Sequence, residues 1–334
     1  MKKTIFPIGL LALLFWSCAD TDTGQVQKSA TLTLSGLELQ ASENPEWTYE
    51  NLRLYPVCAD EQVLNAVASQ PALATLAEGM QTAGFRITER KQFGREQNAW
   101  YNALTVQNKS DKTIFLMSGD VVTGGNQDRV IAYDDAIPPG TIKNIDVFCV
   151  EAGRSSYYDP EAPETEKQIA AFRGYYNVAS PHVRKAVHQG NQQGVWKAVD
   201  KITEANDASS DTKTYAALET ENAHKARREA YLNFFEGKVD ALPNAVGVVA
   251  VCNGKVIGVD IFSQPALFRN QYKALLHGYT AEAVVAGNET NTSNDQAARE
   301  AFKQVARLAQ SNPDAEDIVG KFSINGAWVH LFLK

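Results

Sequence analysis

The chain has 334 residues, ample for a sizeable core in one domain or two. With 44% hydrophobic and 21% charged residues it has the composition of an ordinary globular protein. A net charge of −7 and the lack of any long basic run exclude nucleic-acid binding as the default; Ala226-Arg227-Arg228 is short and Glu229 follows it.

At the N-terminus Lys2 and Lys3 precede an apolar run from Ile5 to Trp16. That run is too short for a spanning helix, which needs roughly 20 residues. It ends at Phe15-Trp16-Ser17-Cys18 and gives way to polar residues, a pattern that resembles a relaxed bacterial lipobox. The expected organisation is a lipoprotein signal peptide over 1–17, a lipidated Cys18 with a flexible tether over 18–30, and one domain over 31–334, with a helical insertion allowed over 155–240. Plain secretion is the alternative, for which Phe15 is awkward three residues before cleavage. Removing 1–17 takes away two lysines and no acid, so the net charge goes from −7 to −9. The implied location is the cell envelope, periplasmic or surface-facing, with the membrane as a partner through the anchor. Cys58, Cys149 and Cys252 remain, each in an apolar context, and an odd number cannot all pair. Their spacings do not fit a zinc site, and no metal or cofactor motif stands out.

Along the domain, Thr31 to Leu39 reads as a strand bent at Gly36, and Trp47 to Val57 as another. Asp60 caps a helix through Val63, Leu64 and Val67, and Pro71 opens a second through Leu73, Leu76 and Met80. A β-rich block follows. Phe85 and Ile87 alternate with polar neighbours. Trp100 to Val106 and Thr113 to Met117 flank Asn108-Lys109-Ser110-Asp111 and read as a hairpin. Val130 to Tyr133 and Ile142 to Val150 are separated by a Pro138-Pro139-Gly140 turn. Ser155 to Gln193 reads as a long, partly irregular excursion. Val195, Val199 and Ile202 mark a helix, and a second is expected from Ser210 to Glu236, stopped by Gly237. Val246 to Phe262 is a hairpin about Asn253-Gly254; Pro265 opens a helix through Phe268, Tyr272, Leu275, Leu276 and Tyr279. Ser293-Asn294-Asp295-Gln296 suggests a capping box for a helix through Phe302, Val305 and Leu308. Two strands close the chain about Asn325-Gly326. The fold class is α+β, mostly antiparallel sheets with a helical segment in the second half.

Two polar clusters follow β-like runs. In Gly124-Gly125-Asn126-Gln127-Asp128-Arg129, the glycines let backbone N–H groups approach a ligand, Gln127 donates and accepts, and Arg129 offers a fork to carboxylate or phosphate. The plainer reading is a tight turn with an Asp128/Arg129 pair. In Cys149-Val150-Glu151-Ala152-Gly153-Arg154, strand alternation puts Cys149 and Glu151 on one face. A carboxylate and an arginine at a strand end suit acid/base work with anion binding; a buried Cys149 beside a Glu151–Arg154 pair is the structural alternative. Asp260 closes the second hairpin as a candidate site member or a turn residue. His330, in an apolar strand, reads as a satisfied core or edge histidine.

Together, Gly119 to Arg129 (G-x-x-x-x-G-G-x-Q-x-R), Cys149-Val150-Glu151 with Gly153-Arg154, the hairpin Gly247 to Phe262 ending in Asp-x-Phe, and the His330-Leu331 strand resemble the ARPP-1 domain family. The resemblance spans roughly 31–334. It implies a link to nucleotide or ADP-ribose chemistry, without naming an activity. Asn126 stands where the family commonly has lysine, and Ser155 where it has an aromatic residue. The expected site is a polar pocket of Gly124, Gly125, Gln127, Arg129, Glu151, Arg154 and Asp260 for a small anionic ligand. The alternatives are a hydrolase with Glu151 or Asp260 as general base, and a structural or protein-interaction module with no ligand.

Overall fold

A computed structural model describes residues 31–40, 45–89, 102–154, 171–208, 210–220, 222–287, 295–314 and 317–334. The expected signal peptide, the expected lipidation at Cys18 with its tether, Ser155 and the expected Ser293-Asn294 cap lie outside the described residues. Three sheets make an α+β fold: an eight-stranded sheet, a closed six-stranded barrel and a small three-stranded sheet. Among the described residues, every strand pair is antiparallel except Leu73–Thr75 with Thr113–Leu116.

The large sheet is built outward from the hairpin Ala245–Cys252 and Lys255–Phe262. Asn253 (φ 46°) and Gly254 (φ 74°) make the left-handed two-residue turn that the Asn-Gly pair predicts. Leu52–Ala59 pairs on one side and Ala327–Leu333 on the other. Alternation sends Val248, Ala250 and Cys252 to one face, where they meet Phe268, Tyr272, Leu275 and Tyr279 of the helix Pro265–Ala286. Val249, Val251, Val259 and Ile261 meet Ala298, Phe302 and Val305 of the helix Asp295–Ala306 on the other face. Both faces are therefore covered, which is why every residue of Ala245–Cys252 is buried. No helix among the described residues is long and apolar enough to cross a membrane.

The barrel runs Arg129–Ile131, Thr141–Cys149, Ala103–Asn108, Phe85–Glu89, Ala171–Val178, Asp120–Gly124 and back. Its interior is packed by Ile87, Leu104, Val106, Val122, Ile131, Ile145, Val147 and Phe172. Val121, Val130, Phe148 and Val150 point outward against the helices Pro181–His188 and Gln192–Ala205.

Several expectations are corrected. Ala103–Asn108 and Thr113–Leu116 are not a hairpin; they belong to different sheets. Asn108 explains why, because its amide holds the carbonyls of Lys112 and Ile137 and turns the chain out of the barrel. Pro71 does not open a helix: Leu73–Thr75 is a strand, and Thr75 with Glu78 makes the capping box of a helix at Leu76–Gln81. The bent strand at Gly36 is two strands joined by a left-handed Ser35-Gly36 turn. The irregular excursion holds a barrel strand at Ala171–Val178 and a helix at Pro181–His188. The helix from Ser210 is split: a 3₁₀ turn covers Tyr215–Glu219, and Asn222 caps a new helix, Ala223–Phe235. Asp120–Gly124, to which the sequence reading assigns no element, is a barrel strand.

Candidate functional site

Barrel geometry carries four polar side chains to one end. Arg129 and Cys149 are register partners, and Glu89 continues the inward face of Phe85 and Ile87. Beyond the last apolar layer, Arg129 donates from Nη1 to Gln127 Oε1 (2.9 Å) and Cys149 Sγ (3.0 Å), and from Nη2 to Glu89 Oε1 (3.2 Å). Gln127 donates back to the Glu151 carbonyl (2.9 Å). The barrel mouth is thus closed by a layer of linked polar groups.

The Gly-rich turn folds over this layer. Gly124 (φ 116°) and Gly125 (φ 55°) have positive φ, and a Cβ on Gly125 would stand 2.4 Å from Phe172 Cζ. The turn's N–H groups have internal partners: Gly124 donates to Asp128 Oδ1, Gly125 to the Ala171 carbonyl, Asn126 to Glu89 Oε1 and Asp128 to Glu151 Oε2. Arg154 spans the two clusters, bonding Glu151 Oε2 through Nε (3.0 Å) and Nη2 (2.6 Å) and the carbonyls of Gly125 (2.6 Å) and Gly124 (3.2 Å). Its Nη2 also lies 3.3 Å from Asp128 Oδ1. Glu151 and Arg129 are buried, whereas 26% of the Arg154 side chain is exposed.

Electrostatics constrain the chemistry. Two arginines face Glu89, Asp128 and Glu151, so the cluster is slightly anionic as it stands. Burial alone would raise the Glu151 carboxyl, but hydrogen bonds from Arg154, Thr212 and the Asp128 amide hold it below its ordinary value, which weakens it as a base. Burial, reinforced by Glu151, leaves the Asp128 carboxyl raised despite its bond from Thr214. Burial raises the Cys149 thiol above its ordinary value, so Cys149 is a thiol and a poor nucleophile at neutral pH. Cys58, Cys149 and Cys252 are all buried and free. Among the described residues, no group of three His, Cys, Asp or Glu could hold a metal ion.

Asp260 does not join this cluster. It lies in a second network, at the seam where the large sheet meets the barrel. Arg184 grips it with two bonds (2.9 and 2.6 Å), Tyr279 donates to it, and His330 Nε2 stands 3.2 Å away. His330 Nδ1 reaches Asp134 (2.7 Å), whose other oxygen accepts the Ser118 amide (2.7 Å). Burial would raise the Asp260 carboxyl, but Arg184 and His330 hold it well below the usual range. A carboxylate held this way is a weak base. Close to Asp134, buried Asp120 accepts from the Met117 amide, Tyr175 and Gln271. Sequence reading missed Glu89 at the mouth and Asp120, Asp134, Arg184, Tyr279 and Gln271 at the seam; an acid beside Gly119 with no basic neighbour in sequence was the one available signal. A cavity of about 390 Å³ lined by Trp47, Leu54, Pro56 and Lys238 involves none of the expected site residues.

The match to a family model covers residues 40–323, so the chain belongs to the ARPP-1 family, described as the ARG and Rhodanese-Phosphatase-superfamily-associated Protein domain. No curated protein and no solved structure matches the chain.

Proposed function

We propose, from this family membership as premise, that the protein is a cell-envelope lipoprotein held to the membrane through Cys18. In this reading its barrel mouth binds a small anionic ligand of the nucleotide or ADP-ribose class without turning it over. The observation that carries this is Arg154: it joins both Gly-rich segments, keeps a quarter of its side chain exposed, and holds a carboxylate that a ligand carboxylate or phosphate can replace. Because the cluster itself has an excess of acid, binding requires Glu151 to withdraw or a proton to be taken up. Asp128, already raised, is the group that would take it. Affinity should therefore increase as pH falls. Gln127 and Arg129 orient the layer below, and the weak basicity of Glu151 and Asp260 supports binding over hydrolysis.

The internal use of the turn's N–H groups favours a second reading, a structural latch with no ligand. Thermal-shift screening of the full chain against ADP-ribose, nucleotides and sugar phosphates separates the two. The binding reading expects a stabilising compound whose effect is lost in Arg154→Gln and grows as pH is lowered toward the raised Asp128 value. If no compound shifts the transition, or if Arg154→Gln keeps the shift, the latch reading stands. Cys18→Ala should release the chain from membranes; retention would sink the anchor.

A further inference from the structure

Both ring nitrogens of His330 face carboxylate oxygens, Asp134 at 2.7 Å and Asp260 at 3.2 Å. A neutral imidazole has one N–H and one lone pair, so either tautomer would point a lone pair at an acid. Only the imidazolium puts a donor on each side. The ring is fully buried, and it is held in plane between Phe262 (centroids 4.4 Å apart) and Phe332 (4.9 Å), so it cannot rotate away without disturbing both.

The two acids belong to different bodies. Asp260 and His330 sit on paired strands of the large sheet. Asp134 lies in the connection between the barrel strand Arg129–Ile131 and Asp135–Ile137 of the small sheet. We propose that His330 is a proton-operated clasp, whose imidazolium fastens the barrel's 132–134 connection to the large sheet and whose deprotonation unfastens it. The same strand carries Arg129 at the mouth, so an open clasp would loosen one wall of the polar layer.

The surrounding charges determine the direction. From the helix Pro181–His188, Arg184 bonds Asp260, and His188 stacks on the far side of Phe332. From the helix Pro265–Ala286, Tyr279 donates to Asp260. Asp120 feels Asp134 from the barrel, and Phe115 of the small sheet meets the His330 ring edge-on. With His330 charged, two acids balance two bases. Without its proton the buried seam carries a net negative charge, next to Asp120. Burial alone would lower the His330 value, but Asp134 and Asp260 raise it to about 8. Burial and Arg184 push His188 down to about 4, so it stays neutral and does not substitute. The folded value lies above the ordinary 6.5. The clasp's stabilisation is therefore complete below about pH 6.5 and is lost as pH rises through 8.

The test is an imidazole nitrogen NMR titration of the full chain, with amide exchange of 132–134 corrected for intrinsic pH dependence. The expected result is a doubly protonated His330 at about pH 6.5 that titrates near 8, with exchange at 132–134 rising about tenfold by one unit above that midpoint. A neutral ring at pH 6.5, or unchanged exchange across the titration, overturns the clasp. Asp134→Asn removes one acid, so the titration should move down by about a unit or more and exchange at 132–134 should lose its pH dependence. An unmoved titration in that variant overturns the proposal, and the wild-type titration decides even if the variant folds poorly.

Discussion

The barrel mouth and the seam use the same chemistry, arginine against carboxylate, in opposite settings. At the mouth Arg154 pairs with Glu151 three residues away and keeps 26% of its side chain exposed. At the seam Arg184 pairs with Asp260, 76 residues away, with the two side chains 6% and 0% exposed. A local pair with one partly exposed partner is cheaper to form and to break, so its partners can exchange. A buried pair made from distant segments holds elements together, and removing one partner strands a charge.

The largest expected effect is at the seam. Arg184→Met leaves Asp260 with only Tyr279 and His330, and should cost about 3–5 kcal/mol in urea unfolding. Arg154→Met at the mouth should cost less, about 1–2 kcal/mol, because this side chain is partly exposed and water can reach the groups it leaves. Equal losses would erase the distinction. The double variant Arg184→Met/Asp260→Asn should recover part of the loss, because the stranded charge, rather than the lost attraction, dominates the single variant.

That contrast also explains what the sequence disclosed. The mouth was legible in large part because most of its donors and acceptors sit within two short segments, 124–129 and 149–154, and strand alternation alone puts Cys149 with Glu151; Glu89 and Thr214, from distant segments, were not legible. The large sheet was legible through Asn253-Gly254 and the alternating valines. The seam was not. Asp134, Arg184, Asp260, Tyr279 and His330 come from five elements, and no local spacing relates them. The false hairpin at 103–116 has a similar cause. Local turn chemistry at Asn108 was read correctly, but the tertiary pairing that carries the two strands to different sheets is non-local.

Acid and alkali should separate the regions as well. Burial raises the Asp120 carboxyl to about 6 from its ordinary 3.8. A raised acid gives stability that is complete below the unfolded value and lost as pH rises through the folded one. Stability should thus fall by about 3 kcal/mol between pH 4 and pH 6–7 on this account. Glu151 at the mouth has the opposite sign. Its folded value is lowered from 4.5, so its contribution is present above that pH and lost as pH falls through the folded value. Unfolding measured from pH 3 to pH 7 in Asp120→Asn and Glu151→Gln should flatten the first and the second trend respectively. If Asp120→Asn keeps the wild-type slope between pH 4 and 6, the buried carboxyl is not its source.

The smallest effect sharpens the reading of the mouth as a hydrogen-bonded layer. Cys149 accepts from Arg129 and donates to Gln127 Oε1 (3.1 Å) from a buried position. A hydroxyl can do both, so Cys149→Ser should change stability by about 0.5–1 kcal/mol at most, whereas Cys149→Val removes both bonds beside a buried arginine and should cost about 1–3 kcal/mol. A thiol whose value burial has raised should also react slowly with iodoacetamide at neutral pH in the folded chain. Rapid alkylation, or a valine variant as stable as the serine one, would mean that the layer opens readily. The mouth would then resemble an open site more than a closed network, and its contrast with the seam would be sharper still.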